Sequence, residues 1–303
     1  MTTSHHQLKV KGSRWVLRDF RNAFFPGGPG IISISNVPGL NEVRQSLYKN
    51  IREMIQLPTL EVLEDKGSNY NIGFSKGREQ TGATRDDFKG SFYFRDGEES
   101  KWPDEIPQMK GNCMKLFSLL RPVIEDVKGH ICELTGHDVS AIGDVKGRLL
   151  YYYPNCDTEY WNSEHVDSGY LTVLLADEYI DHNTGERIEH DDDSGLYIKG
   201  LPYAVHGPSS LSIQIGEGLE VMSGGALSAT EHFVKASRMK DVARISCAIF
   251  FDVRPEYRMF APENAKLTHT FDTKFGDRWS DGITYGDYSS KTFRKYYETK
   301  SLA

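Results

Sequence analysis

Residues 164–175 read EHVDSGYLTVLL. From Gly169 onward the run is aromatic, aliphatic and β-branched, with a glycine at its head, and this composition predicts a strand. Runs of the same texture recur on both sides. GRLLYYYP (147–154) precedes it, and the run itself continues as GYLTVLLADEYI to residue 180. GLYIKG (195–200), LSIQIG (211–216), LEVMSGG (219–225) and ARISCAIFFDV (243–253) follow. Each is short and punctuated by Gly, Pro or Asp, so each reads as a strand closed by a turn. Many short strands at close spacing predict a sandwich or jelly roll.

Ahead of residue 147 the pattern is different. In PGLNEVRQSLYKNIREMIQLP (38–58), Leu40, Val43, Leu47, Ile51 and Met54 fall on one helical face. A longer helix is expected after Trp102-Pro103, where apolar residues from Ile106 to Leu134 recur at spacings of three and four, with Gly136 as its stop. Between these helices, residues 68–94 are Gly-rich and aromatic, too broken for a helix. The fold class is therefore mainly β with N-terminal helices, around a double-stranded β-helix (jelly roll) core. The expected organisation is a single unit over residues 1–303: a mostly helical part over 1–146, a catalytic core over 147–260 and a C-terminal extension over 261–303 ending in a short helix.

Composition narrows the function classes. The 303 residues carry a net charge of -7, and no Lys/Arg-rich run stands out, which argues against nucleic acid or an anionic membrane as partner. No apolar run is long enough to span a bilayer, and the N-terminus lacks a signal-like stretch. Cys113, Cys132, Cys156 and Cys247 are widely spaced without a CxxC pair, so they read as reduced thiols of a cytoplasmic protein. The expected partner is a small-molecule substrate; the oligomeric state is left open.

The chemistry is carried by a few positions. His165 and Asp167 are two apart at the start of a strand-like run, so their side chains share a face. His232 ends the later segment VMSGGALSATEHFV (221–234), and strands distant in sequence become neighbours in a rolled sheet. Two imidazoles and one carboxylate on one face of an octahedral ion leave three positions open, which suits non-haem iron(II). Downstream, Arg244 and Ser246 also share a strand face, among small and apolar neighbours. An arginine aimed into such an interior is costly unless it meets an anion. Its planar fork pairs best with a carboxylate, and a hydroxyl beside it adds a donor. Charge favours a dicarboxylate cosubstrate: the doubly positive ion, the single charge of Asp167, the two carboxylates and Arg244 sum to zero.

Taken together these residues resemble the isopenicillin-N-synthase-like family of iron(II)/2-oxoglutarate oxygenases, most strongly from Leu149 to Val253. The family's His-x-Asp-x-Gly-x-Leu-Thr-x-Leu is matched by His165, Asp167, Gly169, Leu171, Thr172 and Leu174. Its Gly-Leu-x-Val strand is similar to Gly195–Ile198, and its Gly-Asp-x-Leu-Glu turn to Gly216–Glu220. The distal ligand matches His232, the Arg-x-Ser pair matches Arg244 and Ser246, and Tyr153 falls where a phenol touches the cosubstrate. The resemblance implies Fe(II), 2-oxoglutarate and O2, and hydroxylation or desaturation of a small organic substrate with release of succinate and CO2. The family also contains oxidases that dispense with 2-oxoglutarate, and a silent ligand-binding protein on the same scaffold is the remaining alternative.

Bland readings stand beside the sharp ones. Arg244 serves a cosubstrate carboxylate or an internal salt bridge to an acid. Tyr153 serves as a clamp or as a core aromatic. The acidic stretch DEYIDHNTGERIEHDDDSG (177–195) reads as an exposed loop or hairpin remote from the metal, and His190 with Asp191, Asp192 and Asp193 as part of that solvated loop.

Overall fold

The computed structural model describes residues 7–9, 17–68, 71–78, 80–81, 84–85, 87–96, 100–155, 157–189, 193–203, 205, 207–265 and 278–297. In the first half the strands are β1 (Gln7–Lys9), β2 (Ile31–Ser35), β3 (Gly73–Lys76), β4 (Gln80–Thr81), β5 (Thr84–Arg85) and β6 (Lys89–Arg95). Those of the second half are β7 (Asp144–Tyr152), β8 (Tyr160–His165), β9 (Leu171–Leu175), β10 (Glu178–Asp181) and β11 (Gly195–Ile198). They continue with β12 (Leu201–Pro202), β13 (Leu211–Ile215), β14 (His232–Lys235) and β15 (Val242–Asp252). The helices are α1 (Leu17–Phe24), α2 (Leu40–Met54), α3 (Met109–Thr135), α4 (Glu217–Met222) and α5 (Tyr285–Tyr297).

Nine strands form the major sheet, in the order β1-β2-β13-β9-β15-β7-β6-β3 with β10 pairing β15 beyond the end of β9. Four form the minor sheet, β12-β11-β14-β8. The pair is a double-stranded β-helix, as the strand texture predicts.

Alternation along each central strand assigns its two faces. On β15, Ala243, Ile245, Cys247, Ile249 and Phe251 join the large core with α2 and α3. Arg244, Ser246, Ala248 and Phe250 point the other way, into the space between the sheets. On β7, Leu149 and Tyr151 face the helices while Leu150 and Tyr152 face inward. Burying each large aliphatic side chain on the helix side contributes about 1.5–3 kcal/mol, so the inner face can carry polar groups while the outer face supplies the stability.

The helices follow their sequence signals. Leu40, Val43, Leu47, Ile51 and Met54 are all buried on α2. Helix α3 ends at Gly136, whose φ of 72° is the left-handed cap that glycine favours, with its N–H on the Cys132 carbonyl at 2.8 Å. In the N-terminal part, β2, β3 and β6 extend the major sheet. A correction concerns LEVMSGG. Leu219 and Val221 mimic strand alternation, but the segment is helix α4 and the turn after it. The helix is favoured because it buries two acids that a strand would not satisfy. Arg278 meets Glu217 at 2.8 Å, and the Ala229 N–H meets Glu220 at 2.7 Å. Among the described residues, no helix is long and apolar enough to cross a membrane. Cys113, Cys132 and Cys247 are free; Cys156 lies outside the described residues.

Candidate metal and cosubstrate site

β8 ends on His165 and β14 begins on His232, and the two residues are cross-strand partners with ring centroids 4.2 Å apart. Asp167 lies in the loop that leads into β9, so the strand expected to start at His165 ends there instead. The spacing of two still turns both side chains the same way. Glycine makes the turn possible. A Cβ on Gly169 would lie 2.1 Å from Asp252 Oδ1, and one on Gly216 would lie 2.3 Å from the Gly169 carbonyl. Where these turns meet, the Glu217 N–H donates to the Asp167 carbonyl at 2.8 Å. Glu217 is held in turn by Arg278 and by the Tyr288 hydroxyl at 2.5 Å. The C-terminal extension thus braces the loop that carries Asp167.

Each triad side chain has its outer atoms committed. His165 Nδ1 meets the Ser163 carbonyl at 2.7 Å and His232 Nδ1 meets the Thr230 carbonyl at 2.9 Å. A carbonyl only accepts, so both Nδ1 atoms carry the proton and both Nε2 atoms present lone pairs. Asp167 Oδ2 accepts from Thr172 Oγ1 at 2.6 Å and Gln214 Nε2 at 2.7 Å, which leaves Oδ1 facing inward. Each Nε2 lies 3.9 Å from Oδ1, and the three ligand atoms fall within 4.8 Å of one another. The nearest further donors, the Asn162 and Gln214 amides, stand off the two Nε2 atoms at 3.4 and 3.5 Å. Three converging lone-pair atoms repel unless a cation lies among them. Such donors bind first-row divalent ions at roughly 2.0–2.2 Å, so separations of 3.9 Å admit one ion.

Electrostatics agrees. Burial first, and then the neighbouring His232, pushes the His165 pKa down to about 3, which keeps the ring neutral and able to ligate. Burial alone would raise that of Asp167, but interaction with His232 and His165 and the bonds from Thr172 and Gln214 outweigh it and hold the carboxyl below its usual range.

The triad opens onto a cavity of about 630 Å³, its mouth included. Arg244 and Ser246 line it, as do Tyr152, Leu174, Phe250 and Arg148. For Arg244 the internal ion pair is present. Its Nε and Nη2 donate to Asp177 Oδ2 at 3.0 and 2.8 Å, while Nη1 is buried without a hydrogen-bond partner. Gln214 Oε1, also in the wall, is likewise unpartnered. Burial would favour the neutral guanidine, but Asp177 wins and raises the Arg244 pKa. The orphaned Arg244 Nη1 is a charged donor beside a cluster of open ligand positions, which fits an anionic cosubstrate.

Three expectations need correction. Tyr153 is absent from the cavity wall and Tyr152 is present in it, because strand alternation puts Tyr152 opposite Arg244. The Tyr152 ring lies 4.8 Å from the Arg244 guanidinium carbon, whereas Tyr153 packs on Tyr151 and His182 under Lys76. The acidic segment is not remote along its whole length either. Asp177 lines the cavity and Glu178, Tyr179 and Ile180 are buried in β10, whereas residues 183–187, 189 and 193 are exposed and residues 182–186 form a hairpin turn. Third, His232 opens a strand and does not close one, since residues 223–231 form a turn and loop. His190, Asp191 and Asp192 lie outside the described residues. Thr172, Gln214 and Asp177 had no role assigned from sequence. Thr172 and Gln214 were detectable as polar residues on the inward face of otherwise apolar strands, whereas Asp177 had no comparable signal.

Two imidazoles and a carboxylate at one end of a jelly-roll cavity define a class, the mononuclear non-haem iron(II) oxygenases. Residues 147–253 match the family described as the 2OG-Fe(II) oxygenase superfamily, and all three triad residues fall within that stretch. The chain is similar to a feruloyl-CoA ortho-hydroxylase of Ipomoea batatas, 26% identical over 86% of this chain and 71% of the relative. It is also similar to a 1-aminocyclopropane-1-carboxylate oxidase homolog of Arabidopsis thaliana, 26% identical over 66% of this chain and 53% of the relative. Among solved structures, a 2OG-Fe(II) oxygenase family protein of Caulobacter crescentus aligns with TM-score 0.70 and 18% identity, covering 97% of this chain and 100% of that one. A Neurospora crassa protein solved with alpha-KG and thymine aligns with TM-score 0.67 and 20% identity, covering 92% and 89%.

Proposed function

We propose that the chain hydroxylates or desaturates a small organic substrate, consuming dioxygen and 2-oxoglutarate and releasing succinate and CO2. His165 Nε2, Asp167 Oδ1 and His232 Nε2 would hold the iron, which supplies activation of dioxygen when bound. Arg244 and Ser246 would receive the far carboxylate of 2-oxoglutarate. Leu174, Val234, Leu196 and Phe250 form apolar walls that exclude water from the reacting end. Gln214 and Thr172 keep the Asp167 carboxylate turned so that one oxygen alone faces the ion.

The observation that carries this reading is the cavity itself: the convergent triad, Arg244 and Ser246 line the same space. A small molecule as substrate is supported by the thymine bound in the Neurospora crassa structure. The test is a screen of small metabolites for compounds that stimulate succinate release by the iron-loaded protein. Stimulation by one chemical class, with a product heavier by one oxygen or lighter by two hydrogens, is expected. Turnover of a substrate without succinate would instead indicate an oxidase that dispenses with 2-oxoglutarate.

A further inference from the structure

We propose that Asp177 is a resident competitor for Arg244, a built-in carboxylate that weakens the grip on the far carboxylate of 2-oxoglutarate. The proposal rests on the role given to Arg244 above. A guanidinium grips a carboxylate best with two parallel N–H groups. Here Asp177 Oδ2 already takes both Nε and Nη2, at 3.0 and 2.8 Å. An arriving carboxylate therefore meets a guanidinium whose Nε–Nη2 edge is taken, with Nη1, the second N–H of Nη2 and the Ser246 hydroxyl as what remains.

The backbone keeps Asp177 in place from both sides. The Ala176 carbonyl accepts from Tyr48 Oη at 2.9 Å and Arg44 Nη1 at 3.1 Å. The Glu178 carboxylate meets Arg52 at 2.6 Å, with Arg44 at 3.8 Å. Tyr179 is the cross-strand partner of Arg244 in the β10–β15 pairing. Helix α2 thus anchors residues 176 and 178, and the carboxylate between them is delivered to the guanidinium. Only side-chain rotation could withdraw it.

Charge gives the consequence its sign. Asp177 already offsets the guanidinium charge that the far carboxylate would meet. Two carboxylates sharing one guanidinium repel at short range in a poorly screened site. Asp177 acts through Arg244, so it is a positioning residue, and its removal should improve cosubstrate binding. A merely structural carboxylate that orients Arg244 would do the reverse.

The experiment is anaerobic calorimetry on manganese(II)-loaded protein, titrated with 2-oxoglutarate and with 2-oxobutanoate, which lacks the far carboxylate. Asp177→Asn should bind 2-oxoglutarate about tenfold tighter and 2-oxobutanoate within about twofold of wild type. Asp177→Ser, smaller and also neutral, should show the same split, and thermal melts confirm that each variant is folded. Unchanged or weaker 2-oxoglutarate binding in both folded variants overturns the proposal. Arg244→Leu separates the two levels. It should abolish the preference for 2-oxoglutarate over 2-oxobutanoate, and if it does not, the role of Arg244 itself is wrong and the inference falls with it.

Discussion

The two ends of the cavity solve the same problem differently. At the metal end, every outward atom of the triad is tied to a neutral partner: a carbonyl for each Nδ1, a hydroxyl and an amide for Asp167 Oδ2. The inward atoms are left for an ion. At the far end, Arg244 is tied to a charged partner, and one of its nitrogens is left over. Neutral partners orient a ligand without altering the charge of the site, whereas a charged one both orients and competes. The metal end is therefore built for tight, invariant binding, and the far end for an affinity set by a balance of two carboxylates.

The largest effect should come from the metal end. His165→Ala, Asp167→Ala and His232→Ala each leave too few ligands, and each should abolish turnover and stoichiometric iron binding while far-ultraviolet dichroism stays native. Wild-type iron affinity in His232→Ala would break the comparison at its strong end. Next is Arg244→Leu. It strands Asp177 as well as the cosubstrate, so a denaturant titration should show a loss of about 3 kcal/mol, the low end for a broken buried pair because Asp177 keeps some water contact. The apparent constant for 2-oxoglutarate should rise about a hundredfold, with iron binding nearly intact. Arg244→Lys should recover part of this, since an ammonium cannot form the fork.

Smaller effects sharpen the contrast. Gln214→Leu and Thr172→Val each remove one partner of Asp167 Oδ2, and metal titration should show about a 10–100-fold loss of affinity with an unchanged ratio of 2-oxoglutarate to 2-oxobutanoate binding. Smallest is the tyrosine pair. Tyr152→Leu removes a ring stacked on Arg244, worth about 1 kcal/mol, and should weaken 2-oxoglutarate binding about fivefold. Tyr153→Phe should leave it within about twofold, and a larger change would return Tyr153 to the cavity.

The same division explains what could be read from the chain. The metal end is local: His165 and Asp167 are two residues apart, the strand alternation is strong, and His232 needs only a neighbouring strand. Gly136 and the apolar face of α2 are local signals too. The far end depends on long-range registration. Nothing in DEYIDHNTGERIEHDDDSG marks Asp177 for the cavity wall, because its neighbours 176 and 178 are held by Arg44, Tyr48 and Arg52 more than a hundred residues earlier. Tyr151, Tyr152 and Tyr153 are chemically alike, and only the pairing of β7 with β15 decides which one faces inward. In LEVMSGG the strand-like alternation is real, but the helix is selected by partners for Glu217 and Glu220 that lie elsewhere in the chain.

The most direct test is a crystal structure of the anaerobic manganese(II)–2-oxoglutarate complex, with the ion located by its anomalous signal. The account predicts one peak bonded to His165 Nε2, Asp167 Oδ1 and His232 Nε2, with the far carboxylate of 2-oxoglutarate against Arg244 and Ser246. An ion elsewhere, or a cosubstrate whose far carboxylate avoids Arg244 while the Asp177 pair stays as it is, would contradict it.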